Sequence, residues 1–169
     1  MAARRKRIRK AVAATVFVFL GRGLIAAARL DRRVRREVAA WPHDTIITVA
    51  IAHGPQTSWR FTGRRLEHLG ARRDLTPTLC VTYKSIDVAL PVLLGRQGIL
   101  PAFAEHRATL AGDIGLGMSF VRCLHIVEGY LFPDLIGRRV LPSPPSREVS
   151  HVRAYVALAL RSVRLEAAP

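Results

Sequence analysis

The sequence predicts an α+β fold, because two kinds of hydrophobic periodicity occupy different parts of its 169 residues. Between residues 45 and 83, β-branched and aromatic residues alternate with polar ones, which is typical of strands. Before Pro42 and after Lys84, apolar residues recur every three or four positions, which is typical of amphipathic helices. Half of all residues are apolar, so one domain with extensions can bury a sizeable core.

Residues 1–28 are predicted to form a basic and apolar N-terminal arm. A basic cluster at Arg4–Lys10 precedes the apolar run Ala11–Leu20. Three interpretations stay open: a cleaved secretory signal, a membrane-spanning anchor, and an uncleaved helix at a membrane surface or against the domain. The uncleaved helix is favoured, because Arg22 near the centre of a span would cost on the order of 3 kcal/mol. The predicted membrane-surface contacts are Arg4, Arg5, Lys6, Arg7, Arg9, Lys10, Phe17 and Phe19.

The positive charge is concentrated near the N-terminus. The formal net charge is +15, and residues 1–36 hold 12 Lys or Arg against one acid, Asp31, which leaves +4 for residues 37–169. The charge therefore predicts an anionic membrane surface as a partner of the arm. Nucleic acid is disfavoured as a partner, because aromatic side chains do not alternate with the basic ones.

The elements before Lys84 follow from periodicity and turn residues. Leu30, Val34, Val38 and Trp41 form one apolar stripe, so a helix is expected there, ending at Pro42. The predicted strands are Thr45–Ala52, Thr57–Thr62, one through Leu66 and Leu69, and Thr76–Lys84, in which Leu79, Val81 and Tyr83 share a face.

Helices dominate after Lys84. Ser85 is expected to cap a helix that Pro91 breaks or kinks and that Gly95 ends. A short helix carrying Phe103 and a strand at Arg107–Ala111 follow. Gly112 and Asp113 then begin a longer helix, with Asp113 as its cap. The last predicted segments are a Pro-rich linker at Leu141–Ser146 and an amphipathic helix near Glu148–Leu165.

Neither a catalytic nor a metal-binding pattern is visible. Cys80 and Cys123 are predicted to be reduced thiols, which favours a cytoplasmic compartment. The six histidines occur singly, without metal-ligand spacing. Gly112, Gly115 and Gly117 are not followed by the Lys-Ser/Thr pair of a phosphate loop. The sequence therefore predicts a protein that is not an enzyme and has no cofactor or metal.

Five short segments between residues 75 and 120 together resemble the sterol carrier protein type 2 family of lipid-binding domains. They are Thr78–Tyr83, Leu94-Gly95-Arg96, Ala102-Phe103, His106-Arg107 and the run from Gly112 to Met118. The Gly-Asp-x-Gly-Leu-x-Met run is the most specific of them. Residues 44–74 match the opening strands of that family only loosely, and the arm lies outside the resemblance.

The resemblance implies a mostly antiparallel, roughly five-stranded sheet covered on one face by helices, with an apolar cavity between the layers. Such domains bind sterols, fatty acyl chains or isoprenoids, including ubiquinone precursors, and do not alter them. The expected cavity residues are Leu90, Leu94, Phe103, Leu116, Met118, Phe120, Val121 and Leu124. For Met118 and Phe103, ordinary filling of the core is the alternative.

The chain is thus predicted to consist of the arm at 1–28, a lipid-binding domain at 29–141, and a linker with a C-terminal helix at 142–169. Its expected function is that of a non-catalytic carrier of an apolar lipid, cytoplasmic and peripherally bound to a membrane. The alternative is an accessory subunit that uses the same fold as a scaffold in a larger complex, with a protein partner at the arm or the C-terminal helix.

Overall fold

The computed structural model of the chain describes residues 2–94, 96–131 and 162–164, and the predicted α+β class is confirmed. The helices are α1 (Ala2–Leu30), α2 (Arg32–Ala39), α3 (Ile86–Leu93), α4 (Ile99–Ala104) and α5 (Ile114–Leu131). The strands are β1 (Thr45–Ile51), β2 (Gln56–Phe61), β3 (Arg65–Gly70), β4 (Leu79–Tyr83), β5 (Ala108–Ala111) and β6 (Ser162–Arg164).

The strands form one sheet in the order β5-β4-β1-β2-β3-β6. β1 and β4 are parallel, with Ile47 opposite Leu79 and Ile51 opposite Tyr83, whereas the other neighbouring pairs are antiparallel. The sheet is therefore mostly antiparallel, as expected, but mixed. The parallel pair arises because the chain leaves β3 and crosses to the other side of β1 before β4 begins, and such a crossover makes parallel neighbours possible.

One face of the sheet is apolar and lies under the helices. Its side chains are almost completely buried, and they are Ile47, Val49, Ile51, Trp59, Phe61, Leu66, Leu79, Val81 and Tyr83. On the opposite face, the hydroxyl groups of Thr48 and Ser58 hydrogen-bond to each other over 2.9 Å. The period-two alternation predicted for β4 is confirmed by the burial of Leu79, Val81 and Tyr83.

α1 is the longest helix and belongs to the core. It contacts α2, α3, α5, β2 and β3. Its buried stripe consists of Ala13, Phe17, Leu20 and Leu24, which are spaced by three or four residues. The predicted boundary between arm and domain at residue 28 lies inside this helix. Residues before and after this boundary belong to the same hydrophobic core.

The junction between α1 and α2 is fixed by a buried carboxylate. Asp31 caps α2 by accepting a hydrogen bond from the Arg33 amide over 2.8 Å, and the Tyr130 hydroxyl donates to it over 2.9 Å. Burial alone would raise the pKa of Asp31, but the hydrogen bonds from Arg33 and Tyr130 hold it below its ordinary value. The end of α5 is thereby tied to the start of α2.

Two local predictions need correction. Pro91 does not break its helix, because α3 continues to Leu93 and the proline lies only two residues from that end. Ser162–Arg164, at the end of the predicted C-terminal helix, form strand β6 beside β3. The rest of that helix, the linker at 141–146 and the expected helix end at Gly95 lie outside the described residues.

Candidate functional site

A cavity of about 260 Å³ lies between the apolar face of the sheet and helices α1, α3 and α5. Thirteen of the described residues line it: Val16, Phe19, Leu20, Val49, Val81, Tyr83, Val92, Leu93, Leu94, Phe120, Leu124, Glu128 and Leu131. Only Glu128 and Tyr83 among them carry a polar side-chain atom. The part of the lining that the structure describes is therefore hydrocarbon apart from one carboxyl and one phenol.

The position of α5 determines which of its residues enter the cavity. Gly112 has a φ of 121°, and a Cβ there would lie 2.3 Å from the Thr78 carbonyl oxygen, so the tight turn before α5 requires glycine. The Asp113 carboxylate then accepts a hydrogen bond from the Leu116 amide over 2.6 Å, as predicted for a cap. This start places Phe120, Leu124, Glu128 and Leu131 along the stripe that faces the cavity.

The cavity opens beside an apolar strip on α1. Phe19 lines the cavity and is nevertheless 49% exposed, so it lies at the opening. Ile8, Val12 and Val18 are large apolar residues of the same helix that are also exposed. These four residues are called the α1 strip below. Exposed apolar side chains on one helix next to a cavity opening are typical of an interaction surface.

The two polar groups of the cavity are both affected by its low polarity. Burial raises the pKa of Glu128 from 4.5 to about 7, so near neutral pH the carboxyl holds its proton about half of the time. Burial and the nearby charge of Glu128 raise the pKa of Tyr83. Among the residues that the structure describes, none donates a hydrogen bond to Glu128 or pairs with its charge. Its side chain is half-buried because it borders the open cavity.

Three of the eight predicted ligand-binding residues, Leu94, Phe120 and Leu124, line the cavity. Leu90, Leu116 and Val121 are buried but do not line it, and Phe103 packs against the core from outside. Met118 is 44% exposed, because a residue two positions before Phe120 lies on the opposite side of an α-helix. The predicted residues thus include positions on α5 that line the cavity, while Leu116, Met118 and Val121 of the same helix lie off the stripe that faces it.

The predicted membrane contacts on α1 fall into three groups. Four basic residues are exposed, namely Arg4, Arg5, Lys6 and Arg7. Arg9 instead forms an ion pair with Asp87, and the Lys10 ammonium donates to the His53 carbonyl over 2.6 Å. Phe17 is fully buried, because it falls on the core stripe, whereas Phe19 lies at the cavity opening. Phe17 is therefore unavailable to a membrane.

The sequence interpretation missed the wall that α1 contributes and the acid inside the cavity. The sequence does not identify Val16 and Leu20 as cavity residues, because its basic and apolar pattern predicts an arm separate from the domain. For Glu128 a signal exists, since it lies four residues after Leu124 on the stripe that otherwise holds apolar residues. A single acid on the apolar side of a core helix is unusual enough to identify a site.

A second, open depression lies between α2 and α5 and is strongly polar. Its volume is about 540 Å³, and it is lined by Arg33, Arg36, Glu37, Ala40, Arg122 and Ile126. Arg122 donates two hydrogen bonds to Glu37, at 2.7 and 2.8 Å, and these hold the pKa of that carboxyl below its ordinary value. The Ser119 hydroxyl also donates to Glu37, over 2.7 Å, and accepts from the Trp41 indole. The acidic group of this depression is therefore fully engaged.

Within the described ranges, no three His, Cys, Asp or Glu side chains come together as a metal site would require. α1 is long and apolar enough from Arg4 to Leu30 to cross a membrane, but 56% of its most apolar stretch is buried against the rest of the protein. The core helix of a soluble protein passes the same length and composition test.

A scan against protein-family models and a search of curated proteins both gave no match. Among solved structures, the chain is similar to a protein titled UbiJ-SCP2 ubiquinone synthesis protein, with 14% identity, a TM-score of 0.44, and 62% of this chain and 90% of the other covered. It is also similar to sterol carrier protein 2 like 2 from Aedes aegypti, with 14% identity, a TM-score of 0.34, and 57% and 94% covered.

A third similar structure is titled sterol carrier protein domain 2 of Helicoverpa armigera, with 17% identity, a TM-score of 0.41, and 63% of this chain and 83% of the other covered. All three titles name the family that the sequence resembles. At these identities and TM-scores the likeness concerns the fold alone. The function has to follow from the cavity itself.

Proposed function

We propose that this protein binds an apolar, lipid-like molecule in the cavity and carries it at a membrane surface without altering it. The observation that carries this proposal is a cavity of about 260 Å³ whose lining is hydrocarbon except at Glu128 and Tyr83. Small-molecule sites are concave, mostly apolar and provided with few polar groups. A cavity of this kind favours ligands by burying their apolar surface, which contributes about 0.8 kcal/mol per CH₂ group.

The dimensions favour a chain over a bulky ring system. The volume lies just below the range of roughly 300–1,000 Å³ that is typical of small-molecule sites. A fatty acyl or isoprenoid chain can insert one end and leave the remainder in the opening beside Phe19. The exposed part of such a chain would lie against the α1 strip. The strip would then contact the ligand as well as the membrane.

The polar groups of the cavity favour binding over chemistry. Among the described residues, Glu128 is the one carboxyl in the lining, so within them no second carboxylate could divide acid and base roles with it. Cys123 lies nearby in α5, but burial raises the pKa of its thiol to about 12, which keeps it protonated and weakly nucleophilic. We therefore propose a carrier and not an enzyme.

Membrane association is proposed from the exposed surface of α1. The α1 strip supplies apolar side chains, and the four exposed basic residues Arg4 to Arg7 continue the same helix toward its N-terminus. Each basic residue near an anionic membrane contributes about 1 kcal/mol of attraction. Together they would bring the cavity opening to a lipid surface, consistent with a peripheral, cytoplasmic protein.

The test uses uptake of diphenylhexatriene, a rod-shaped hydrocarbon that fluoresces in apolar surroundings. The wild-type protein should bind it with saturation, and the change Leu124→Phe should weaken binding by about four-fold, because the larger ring removes room for roughly one CH₂ group. Met118→Phe is the matched control, since Met118 is exposed on the same helix. Equal uptake by both variants, or none by folded wild type, would favour the scaffold alternative.

A further inference from the structure

We propose that Glu128 binds a hydroxyl group of the ligand, so that the cavity takes an apolar alcohol or phenol in preference to a hydrocarbon, an ether or a fatty acid. This inference rests on the proposed function and specifies the ligand of the same cavity. It depends on the position of one carboxyl in a hydrocarbon wall.

Glu128 lies on the cavity stripe of α5 between two leucines. Leu124 precedes it by one turn and Leu131 follows it, and both line the same cavity. The helices that face it across the cavity, α1 and α3, contribute hydrocarbon side chains to the lining. From the sheet, Tyr83 contributes the one other titratable group among the described lining residues. Within that lining, the carboxyl thus faces a space with a single polar neighbour.

The carboxyl has no internal partner that would explain its presence there. Among the described residues, none donates a hydrogen bond to it and no Lys or Arg forms an ion pair with it. Two other carboxyls of low exposure among the described residues are engaged: Asp31 is bonded by Arg33 and Tyr130, and Glu37 by Ser119 and Arg122. A polar group that lacks a partner in an apolar cavity is destabilising, so a ligand that supplies a partner gains affinity there.

Four ligand chemistries can be compared at this carboxyl. A pure hydrocarbon leaves the carboxyl unpaired in both protonation states. An ether accepts a hydrogen bond from the protonated acid, but it offers no hydrogen to the ionised carboxylate and leaves that form unpaired. A fatty acid brings a second negative charge, and two carboxylates that share an apolar site repel each other. An ammonium would have to lose its hydration in a hydrocarbon cavity, which is expensive even beside a carboxylate.

A hydroxyl group fits both protonation states of Glu128. It donates a hydrogen bond to the ionised carboxylate, and it accepts one from the protonated acid. The phenol of Tyr83 can complete the pattern, because it also donates and accepts. An uncharged alcohol or phenol is therefore the chemistry that leaves no group of the cavity unpaired.

The experiment compares decan-1-ol with its methyl ether, 1-methoxydecane, and with decanoic acid, each displacing diphenylhexatriene from the full-length protein. The two main probes differ by a hydroxyl hydrogen exchanged for a methyl group. We expect wild type to bind the alcohol at least about ten-fold more tightly than the ether. This is the difference in affinity that a hydrogen bond to a charged group contributes. Decanoic acid should bind more weakly as the pH rises through 7.

Glu128→Leu should abolish the preference for the alcohol and bind the ether more tightly than wild type does. Glu105→Leu, which changes an exposed acid outside the cavity, should keep the preference. Equal affinities of wild type for alcohol and ether, or a preference that survives in Glu128→Leu, would overturn this inference while the proposed function stands. If neither compound displaces the reporter from wild type, both proposals fail. If Glu128→Leu does not fold, the wild-type pair decides alone.

Discussion

The indole nitrogen of Trp59 in β2 donates a hydrogen bond to the backbone carbonyl of Gly21 in α1 over 3.1 Å. Close by, the ring of His68 in β3 fills the space that a side chain at position 21 would need, since a Cβ there would lie 2.1 Å from its Nε2. The first helix is therefore in close contact with the sheet. This contact makes residues 16–20 a wall of the cavity, so the N-terminal segment takes part in ligand binding.

The close approach of α1 to the sheet predicts the effect of Gly21→Ala. The added methyl group must displace the His68 ring, which is hydrogen-bonded to Thr57 over 2.8 Å. Overpacking of this kind costs about 1–3 kcal/mol, partly offset by roughly 1 kcal/mol of better helix propensity. We expect a net loss of about 1 kcal/mol in the free energy of unfolding, measured by urea denaturation.

The control for this change is Thr15→Ala, on the exposed side of the same helix, which should alter stability by less than about 0.5 kcal/mol. An increase in stability for Gly21→Ala would mean that α1 does not press against His68 in solution.

The four exposed basic residues at the N-terminus predict a membrane effect that is separable from ligand binding. Changing Arg4, Arg5, Lys6 and Arg7 to glutamine should reduce sedimentation with anionic vesicles, because each nearby charge contributes about 1 kcal/mol. Uptake of diphenylhexatriene should not change, since these residues do not line the cavity. Added salt should also reduce the sedimentation of the wild-type protein with anionic vesicles, because salt screens the charges.

A matched control removes the same charge elsewhere, with glutamine at Arg64, Arg72, Arg73 and Arg96, which are exposed. Equal loss of vesicle binding in both variants would show that net charge, and not the α1 surface, drives the interaction.

Glu128 predicts a pH dependence of stability that can be isolated with Glu128→Gln. Its pKa is about 7 in the folded chain and ordinarily 4.5, so between these values the folded state binds more protons than the unfolded one. The free energy of unfolding therefore falls as the pH rises through this window, by at most about 3 kcal/mol. Relative to wild type, the free energy of unfolding of the glutamine variant should increase by that amount between pH 4.5 and 7. Above pH 7 the difference between the two proteins should stay constant.

Urea denaturation of both proteins across this pH range measures the difference, and the contributions of all other carboxyls cancel in it. A difference between the two proteins that does not vary with pH would show that water or a counter-charge reaches Glu128 in the folded state.

The buried junction of α1 and α2 predicts that Tyr130→Phe is destabilising near neutral pH. The change removes the hydroxyl that donates to the Asp31 carboxylate, at a cost of about 1–3 kcal/mol. The pKa of Asp31 is lowered, so its stabilisation is present above the ordinary value of 3.8 and is lost as the pH falls through the folded pKa. Denaturation should show a penalty that shrinks in strong acid, whereas a constant penalty would assign the effect to packing.

Local features of the fold could be predicted from the sequence, because neighbouring residues determine them. Ser85 caps α3, and its hydroxyl oxygen accepts a hydrogen bond from the Val88 amide over 3.4 Å. Gly112 and Asp113 start α5 as expected, and the alternation in β4 gave the buried face correctly. Each of these signals spans fewer than about six residues.

The long-range features could not be predicted in the same way. Alternation shows which side of β4 is buried, but not that β4 pairs with β1 in parallel. The basic and apolar pattern of residues 4–20 is compatible with a signal, an anchor or a helix packed on the domain, since burial in lipid and burial in protein select the same residue types. The contact between α1 and α5 at the cavity could therefore not be predicted from the sequence and is seen only in the structure.

Native mass spectrometry of the full-length protein, purified gently and without detergent, tests lipid binding by the cavity without an added probe. We expect a bound species of one apolar molecule per chain that organic extraction recovers, with lower occupancy in Leu124→Phe but not in Met118→Phe. A folded wild-type protein that carries no such molecule, and takes up none from lipid vesicles, would show that the cavity is not a lipid-binding site.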